Sequence, residues 1–168
     1  MQVLLIRHAI AEDREEFARR GLDDDDRPLT QFGRQRMARN AKGLRKMAPA
    51  ITRLGTSPLR RARQTAVIVG EAYGTKDIEV VEAMRPTRPL KELLRWLRDR
   101  SGDECVALVG HEPHLGTVAT WLLSGVDAPR VTFKKGGAVL MEFGAVIAPG
   151  EATLLWALTP SQLRRLAD

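Results

Sequence analysis

The amino-acid sequence predicts an α/β fold: a single three-layer α/β/α domain, residues 1–168, with a mainly parallel sheet and a late antiparallel strand. Three observations favour this class. Short apolar runs alternate with amphipathic segments of helical period along the chain. The runs at 2–6 and 105–110 are almost continuously apolar, as strands covered on both faces are. Near the end, two strand-like runs follow each other with no helix between them, which indicates an antiparallel pair.

The first half of the chain supplies two predicted strand–helix pairs. In order they are a strand at 2–6, a helix at 30–48, a strand at 51–56, and a helix with Ser57 as N-cap, Pro58 as first residue and an end near Tyr73. The segment 30–48 places Met37, Ala41 and Leu44 on one face, and Thr30 is suited to cap it. Gly74 is suited to end the next helix.

The second half repeats the alternation and then departs from it. The predicted elements are a strand at 78–81, a helix at 89–100, a strand at 105–110, a helix from Pro113 to about Leu123, strands at 138–146 and 152–158, and a helix at 160–167. Two stretches, 9–29 and 124–137, are predicted to be irregular. The first contains four consecutive aspartates, which cannot all point at one ion, so a solvated acidic loop is predicted there rather than a metal site.

Composition and charge narrow the possible functions. Lys and Arg number 27 against 21 Asp and Glu, giving a net charge of +6. No DNA-binding motif spacing is present and aromatic residues make up only 5%, so the basic excess favours an anionic substrate or a phosphoprotein over nucleic acid. Cys105 is the only cysteine and lies in an apolar run, which predicts a buried thiol and no internal disulfide. With neither a leader-like segment nor a membrane-length apolar run, a cytoplasmic protein is expected, without a membrane partner.

Chemically active side chains follow three of the predicted strands. Because ligands of open α/β sheets bind beyond the carboxyl ends of the strands, residues there are candidates for a site. They are Arg7 and His8 after the first strand; Ser57, Pro58, Arg60 and Arg61 after the second; and His111, Glu112 and His114 after the fourth. Clustered imidazole and guanidinium groups repel one another unless an anion lies between them, and arginine's planar donors suit a phosphoryl dianion.

Two histidines beside a phosphoryl group can have different catalytic roles. A neutral imidazole can be the nucleophile, and a protonated one can donate to a phosphoryl oxygen. Arginines can balance the remaining charge. The sequence has neither a metal-ligand spacing nor a phosphate-binding Walker loop, so no metal and no cofactor are expected.

At these residues the sequence resembles the histidine phosphatase superfamily, whose fold is shared with the phosphoglycerate mutases. The family's "RHG" appears as "RHA" from Arg7 to Ala9, its "S-x-x-x-R-A-x-x-T" appears as "SPLRRARQT" from Ser57, and its "GH" appears as Gly110-His111. The elements "RPLTQFG" and "GHEPHL" are similar to those of the SixA-like phosphohistidine phosphatases. The similarity runs over nearly the whole chain.

The resemblance implies roles for individual residues. His8 would accept the phosphoryl group, Arg7 and Arg61 would bind its oxygens, and His111 would be a further donor. Candidate substrate contacts are Ser57, Arg60, Arg63 and His114. Glu82 is the one candidate for the general acid that larger members of the superfamily use.

The preferred substrate is therefore a phosphohistidine on a protein. An alkoxide needs a proton as it leaves, whereas an imidazole, with a pKa of about 6.5, needs one much less. A site without a secure acid thus favours N–P bonds. Hydrolysis of small phosphate esters and a non-catalytic phosphate-binding module remain alternatives, and the sequence indicates neither the partner protein nor the oligomeric state.

Overall fold

The computed structural model describes residues 1–48 and 50–167, which form one six-stranded sheet flanked by helices. The strands are β1 (Gln2–Arg7), β2 (Arg53–Thr56), β3 (Ile78–Val80), β4 (Cys105–Gly110), β5 (Ala138–Phe143) and β6 (Ala152–Leu158). The helices are α1 (Arg14–Arg19), α2 (Gln31–Met47), α3 (Arg60–Tyr73), α4 (Leu90–Arg98), α5 (His114–Ser124) and α6 (Pro160–Ala167), with short 3-10 turns at Asp24–Asp26 and Glu82–Met84.

The sheet has the order β3-β2-β4-β1-β5-β6. The first four strands in that order pair in parallel, while β5 runs antiparallel to β1 and β6 antiparallel to β5. The predicted fold class is confirmed. The parallel order brings the carboxyl ends of β1, β2 and β4 to one edge of the sheet, although these strands are far apart in the sequence.

Two apolar cores cover the two faces of the sheet. Along β1, Leu4 and Ile6 pack into the core beneath α2, α3 and α6, whereas Val3 and Leu5 pack into the core beneath α4 and α5. All four side chains are fully buried. A strand buried on both faces has no polar side to alternate with, which is why its sequence is a continuous apolar run.

Helix α2 approaches its neighbours at two glycines. A Cβ atom at Gly33 would lie 2.0 Å from the carbonyl oxygen of Ile10, and one at Gly43 would lie 1.8 Å from that of Leu163. The Thr30 hydroxyl accepts a hydrogen bond from the Gly33 amide (2.9 Å), as its predicted capping role requires. The first glycine contact presses α2 against the segment that follows β1, so it helps to fix the path of the chain beyond His8.

Two local predictions are wrong. The stretch 9–29 is not irregular throughout, since it contains α1, capped by the Asp13 carboxylate. A helix of six residues with one buried side chain, Phe17, leaves no periodic signal in the sequence. Helix α3 begins at Arg60 rather than Pro58, and its N-cap position is Leu59. The Ser57 hydroxyl is instead bonded to a histidine of the site described below.

The two remaining sequence features concern Cys105 and the membrane. Cys105 is buried in β4, and burial raises the pKa of its thiol to about 11, as a structural rather than reactive thiol requires. Within the part of the chain that the structure describes, the helices are too short or too polar for any of them to cross a bilayer.

Candidate active site

A cavity of about 770 Å³ opens at the edge of the sheet where β1, β2 and β4 end; we call it the rim cavity. All four residues predicted to be catalytic line it: Arg7, His8, Arg61 and His111. Three of these residues lie at strand ends: Arg7 is the last residue of β1, His8 follows it, and His111 follows β4. Arg61 comes from the first turn of α3.

The His8 imidazole is buried and presents one free ring nitrogen. Its Nδ1 lies 2.7 Å from the carbonyl oxygen of Ala9. A carbonyl only accepts, so Nδ1 carries the proton of the neutral ring and Nε2 keeps its lone pair. Burial lowers the pKa of His8 to about 3 against the effect of the Ala9 carbonyl, and the charges of Arg61 and Arg7 lower it further. His8 is therefore neutral at neutral pH and suited to nucleophilic attack.

The chain after His8 is held by further hydrogen bonds. The His8 amide donates to the carbonyl of Gly110 (2.9 Å), and the Ala9 amide donates to the hydroxyl of Thr65 (3.0 Å). Ala9 occupies the position of the glycine in the family motif. Among the described residues only glycines have a positive φ, so the backbone at Ala9 does not need a glycine. Alanine therefore fits this position without backbone strain.

His111 lies beside His8 with the opposite tautomer. The two ring centroids are 5.0 Å apart, and Nε2 of His111 is 2.8 Å from the Ser57 hydroxyl oxygen. That oxygen also accepts from the amide of Leu59 (3.4 Å), and among the described residues its own proton has no acceptor other than Nε2, to which we assign it. The proton of His111 then resides on Nδ1, which is buried and has no partner among the described residues.

The pKa of the second imidazole, which was expected to be the protonated donor beside a phosphoryl group, is lowered from its usual value. Burial lowers the pKa of His111 to about 2, and His8 and Arg61 lower it further. Cationic imidazole is disfavoured where the surroundings are both dry and positively charged. The neutral ring still offers its Nδ1–H group as a hydrogen-bond donor.

The two arginines are each anchored through one end of the guanidinium group. Nη1 of Arg7 donates to the carbonyl of Phe133 (2.5 Å). Nη1 of Arg61 donates to the carbonyl of Asp24 (2.7 Å), and its Nη2 lies 3.0 Å from the carboxylate of the same residue. The Nε–H groups of Arg7 and Arg61 are buried and have no partner within the described chain. Buried donors are normally bonded, so unpartnered donors on two residues that line one cavity favour an acceptor bound between them.

The acidic loop at 23–26 takes part in the site, which the sequence did not predict. Asp24 contacts Arg61 and also accepts from Nε of the buried Arg27 (2.8 Å). Burial alone would raise the pKa of Asp24, but these two arginines hold it below its usual value. Asp25 bonds to Arg85 (2.5 Å). The predicted acidic loop is only partly solvated at these two aspartates, because arginines from distant segments pair with them.

The predicted substrate contacts lie elsewhere. Arg60 and Arg63 are exposed and line a neighbouring groove with Val67, outside the rim cavity. His114 is buried at the start of α5, is not among the residues lining the cavity, and has its pKa lowered by burial. Ser57 is fully buried and contacts His111 instead of the cavity.

Glu82, the candidate general acid, is not among the residues lining the rim cavity either. Its carboxylate is 65% exposed and lies 3.6 Å from Nε of Arg85. The cavity is lined instead by Glu112, whose Oε1 accepts from the amide of Phe133 (3.1 Å). Burial raises the pKa of Glu112, while the Phe133 amide and the charge of Arg7 oppose the rise.

Sequence reasoning missed Asp24, Arg27 and Lys135 as members of the site, and it placed Glu112 at the strand ends without giving it a role. Arg27 and Glu112 stand within quoted motifs, "RPLTQFG" and "GHEPHL", so their positions carried a signal. Lys135 lies in a stretch without motif or period, and its place depends wholly on tertiary structure. Within the described residues, no group of three or more histidine, cysteine or carboxylate side chains is arranged to hold a metal ion.

Comparisons with known proteins match both the fold and the motifs. The family model of the histidine phosphatase superfamily (branch 1) matches residues 3–88. An uncharacterised protein of Picosynechococcus is 35% identical over 147 residues, which cover 86% of this chain and 87% of the relative. The chain therefore belongs to the histidine phosphatase superfamily, a superfamily of phosphatases.

More distant relatives define the branch. Phosphohistidine phosphatase SixA of Escherichia coli is 26% identical over 167 residues, covering 98% of this chain and 97% of the relative. The solved structure of the protein histidine phosphatase SixA complexed with tungstate superposes with a TM-score of 0.82 at 26% identity, covering 97% of this chain and 99% of that one. Within the superfamily the chain is SixA-like, which confirms the resemblance seen in the sequence.

Proposed function

We propose that the protein hydrolyses phosphohistidine on a partner protein through a covalent phospho-His8 intermediate. One observation carries the proposal: a buried, neutral imidazole with a free Nε2 shares a cavity with three residues that each hold a buried donor without a partner in the described part of the chain. The donors are Nε of Arg7, Nε of Arg61 and Nδ1 of His111. Such preorganised donors stabilise the charge on a transferring phosphoryl group.

In the first step, the Nε2 lone pair of His8 attacks phosphorus in line with the N–P bond of the substrate, which breaks. The substrate imidazole takes up a proton on its second ring nitrogen beforehand, so it leaves as neutral imidazole. The three donors bind the phosphoryl oxygens throughout. The Ala9 carbonyl, bonded to Nδ1, stabilises the positive charge that His8 acquires as its Nε2 bonds to phosphorus.

In the second step, water attacks the phosphorus of phospho-His8 and the Nε2–P bond breaks. The electron pair of that bond returns to Nε2, and the protons of the water leave with the phosphate. His8 returns to its neutral form with Nδ1 still protonated. Neither step requires an acid from the protein, because an imidazole leaves in both.

Hydrolysis of phosphate esters is the second candidate, and Glu112 is the observation that favours it. This carboxyl lines the rim cavity and its pKa is raised by burial, as a general acid requires. Its Oε1, however, already accepts a hydrogen bond from the amide of Phe133 (3.1 Å), which opposes the rise in pKa and favours the accepting form of the carboxyl group. The geometry therefore supports phosphohistidine hydrolysis better.

An activity comparison tests the proposal directly. The purified protein is assayed against a phosphohistidine-bearing protein and a panel of small phosphate esters, as wild type, His8→Ala and Glu112→Gln. We expect phosphohistidine to be the better substrate by at least tenfold in kcat/KM, His8→Ala to be inactive, and Glu112→Gln to retain phosphohistidine hydrolysis. Faster ester hydrolysis that Glu112→Gln abolishes would establish the second candidate instead.

Trapping the intermediate separates an enzyme from a phosphate-binding module. Brief incubation with ³²P-labelled substrate should leave acid-labile, base-stable label on the wild type and none on His8→Ala. Arg63→Ala is a suitable control, because Arg63 lies outside the rim cavity. Full hydrolysis by His8→Ala would contradict the mechanism, and absence of both label and turnover in the wild type would favour the module.

We further propose that residues 1–168 form one such domain acting in the cytoplasm. The near-complete coverage of SixA relatives supports a single domain. Cys105 is a single buried thiol, so it forms no internal disulfide, the kind of bond that forms in an oxidising compartment. Limited proteolysis should leave one resistant fragment close to the full length, and cell fractionation should recover the protein with cytoplasmic markers.

A further inference from the structure

A second groove of about 450 Å³ lies beside the rim cavity, between α2, the segment after β1 and the start of α6. We call it the basic groove. Its basic lining residues are Arg7, Arg36, Lys134, Lys135 and Arg164. Ala9, Ile10 and Met37 supply apolar surface, whereas the long side chains at the edges are basic. The groove thus combines apolar surface with a cationic border.

The charges of the basic groove are not balanced. Of the described residues that line it, five are basic and none is acidic. Among the described residues, no carboxylate forms an ion pair with Arg36, Lys134, Lys135 or Arg164. Arg36 stacks on the ring of Phe32, and Arg164 donates to the neutral amide oxygen of Asn40. Elsewhere in the protein, arginines commonly pair with carboxylates, so this border is an unusual concentration of uncompensated charge.

The surroundings of Lys135 show the same imbalance. Burial lowers the pKa of this lysine, and the nearby charges of Arg7, Arg27 and Arg61 lower it further, while Asp13 acts in the opposite direction. A lysine surrounded by other cations gains from an anion that approaches the group.

The basic groove and the rim cavity are continuous. Arg7 and Lys135 line both. A molecule that places a phosphoryl group beside His8 therefore also places its flanking parts next to the basic groove. A substrate limited to a single phosphorylated side chain would leave this surface uncovered, whereas a protein substrate would reach it.

We infer that the basic groove docks an acidic segment of the protein that carries the phosphohistidine. This inference rests on the proposed function and adds the chemistry of the partner. Carboxylates on the segment would pair with Arg36, Lys134 and Arg164, and an aliphatic side chain would pack on Met37. In the part of the chain that the structure describes, no aromatic residue lines the groove, so the stacking surface that single-stranded nucleic acid uses is not seen there.

A binding experiment tests the docking without requiring catalysis. A fluorescent, unphosphorylated 16-residue peptide rich in Asp, Glu and Leu is titrated with the wild type and with Arg36→Glu/Lys134→Glu, two residues outside the rim cavity. We expect the double variant to bind about tenfold more weakly, because two attractions become repulsions. The matched control is Lys91→Glu/Arg95→Glu, two exposed residues of α4 that give the same change in net charge on the other side of the sheet. It should bind within twofold of the wild type.

Kinetics then connect the groove to the substrate. Two phosphohistidine peptides, one with acidic and one with neutral flanks, are compared with free phosphohistidine. Arg36→Glu/Lys134→Glu should lose about tenfold in kcat/KM on the acidic peptide, mainly through KM, and stay within twofold on free phosphohistidine. The acidic peptide alone should show a steep dependence on salt.

The outcomes separate the inference from the proposed function. If no phosphohistidine substrate is hydrolysed but the acidic peptide still binds through the groove, the substrate assignment fails and acidic docking stands. Equal losses in the two double variants, or no difference between acidic and neutral peptides, would overturn the docking. Tighter binding of a single-stranded DNA oligonucleotide, lost in Arg36→Glu/Lys134→Glu alone, would assign the groove to nucleic acid and overturn it too.

Discussion

At the rim of the sheet, the chemical role of each histidine depends on which of its ring nitrogens already forms a hydrogen bond. The Ala9 carbonyl accepts from Nδ1 of His8 and leaves a lone pair on Nε2. The Ser57 hydroxyl occupies Nε2 of His111 and leaves the proton on Nδ1. The partners belong to the chain segments that follow β1 and β2, so the backbone path itself assigns opposite roles to two chemically identical side chains.

Replacement of Ser57 by alanine should change the tautomer of His111 without removing any contact with the substrate. We expect the His111 proton to distribute over both ring nitrogens and kcat on phosphohistidine to fall by roughly tenfold, the low end of effects for residues that orient a functional imidazole. Nitrogen-15 NMR of the imidazole reports the tautomer. Ser101→Ala, an exposed serine of a turn, is the control and should change neither. An unchanged His111 tautomer in Ser57→Ala would contradict the positioning role.

The lowered pKa values of His8 and His111 also predict a pH-dependent stability. The native state excludes protons that the unfolded chain binds below a pKa of about 6.5, so the free energy of unfolding should fall as the pH falls. With native pKa values of about 3 and about 2, the loss between pH 7.5 and pH 5 is on the order of 2 kcal/mol for each histidine.

Urea unfolding at these two pH values, in buffer without phosphate, measures the effect. In His8→Asn, the loss in the free energy of unfolding caused by the two histidines should be about half of that in the wild type. The opposing contribution of Glu112 to this free energy is present in both proteins. A wild type whose stability is the same at pH 5 and pH 7.5, or a His8→Asn variant with an undiminished loss, would mean that these imidazoles titrate normally.

At the scale of secondary structure, the contact between α2 and the segment after β1 determines the position of the nucleophile. The Gly33 Cα faces the Ile10 carbonyl so closely that a Cβ atom would be 2.0 Å from the oxygen. Ile10 follows Ala9, whose carbonyl orients the His8 ring. The close approach of this helix is therefore part of the active-site geometry, although Gly33 itself is distant in sequence from His8.

A methyl group at Gly33 should consequently affect both stability and activity. For Gly33→Ala we expect a loss of about 1–3 kcal/mol in the free energy of unfolding, because backbone must move to admit the Cβ atom. We also expect kcat to fall as the Ala9 carbonyl shifts. Gly102→Ala is the control, since a Cβ atom there meets nothing within 4 Å. Urea unfolding and phosphatase assays measure the two effects, and an unchanged Gly33→Ala would contradict the coupling.

The same elements explain how much of the fold and the site is predictable from the sequence. Apolar runs and helical periods locate the strands, so the strand ends, and with them His8 and His111, can be placed together from the sequence alone. The prediction of Ser57 as a helix cap is wrong, because a serine before proline has the same local pattern whether it caps a helix or bonds a distant histidine. The contact of Asp24 with Arg61 and the position of Lys135 depend on tertiary packing, for which one sequence carries no periodic signal.

At the scale of the whole molecule, the site links the parts of the fold that the parallel sheet brings together. Arg7 belongs to β1, Arg61 to α3, and His111 follows β4, so an anion held by all three connects segments spread over more than a hundred residues. The two arginines repel each other when no anion lies between them. Anion binding should therefore stabilise the entire fold, and the stabilisation should depend on the cavity arginines rather than on the general basic charge.

Thermal unfolding with inorganic phosphate tests this. At a phosphate concentration 100 times its Kd, binding contributes about 2.7 kcal/mol. For a chain of this size that raises Tm by roughly 5–10 °C. Sodium chloride at equal ionic strength should give little shift. Arg61→Gln should lose most of the phosphate shift, whereas Arg60→Gln, one residue away but exposed and outside the rim cavity, should keep it. Equal shifts in the two variants would show that phosphate acts through overall charge, and the three donors would then not form the phosphoryl site.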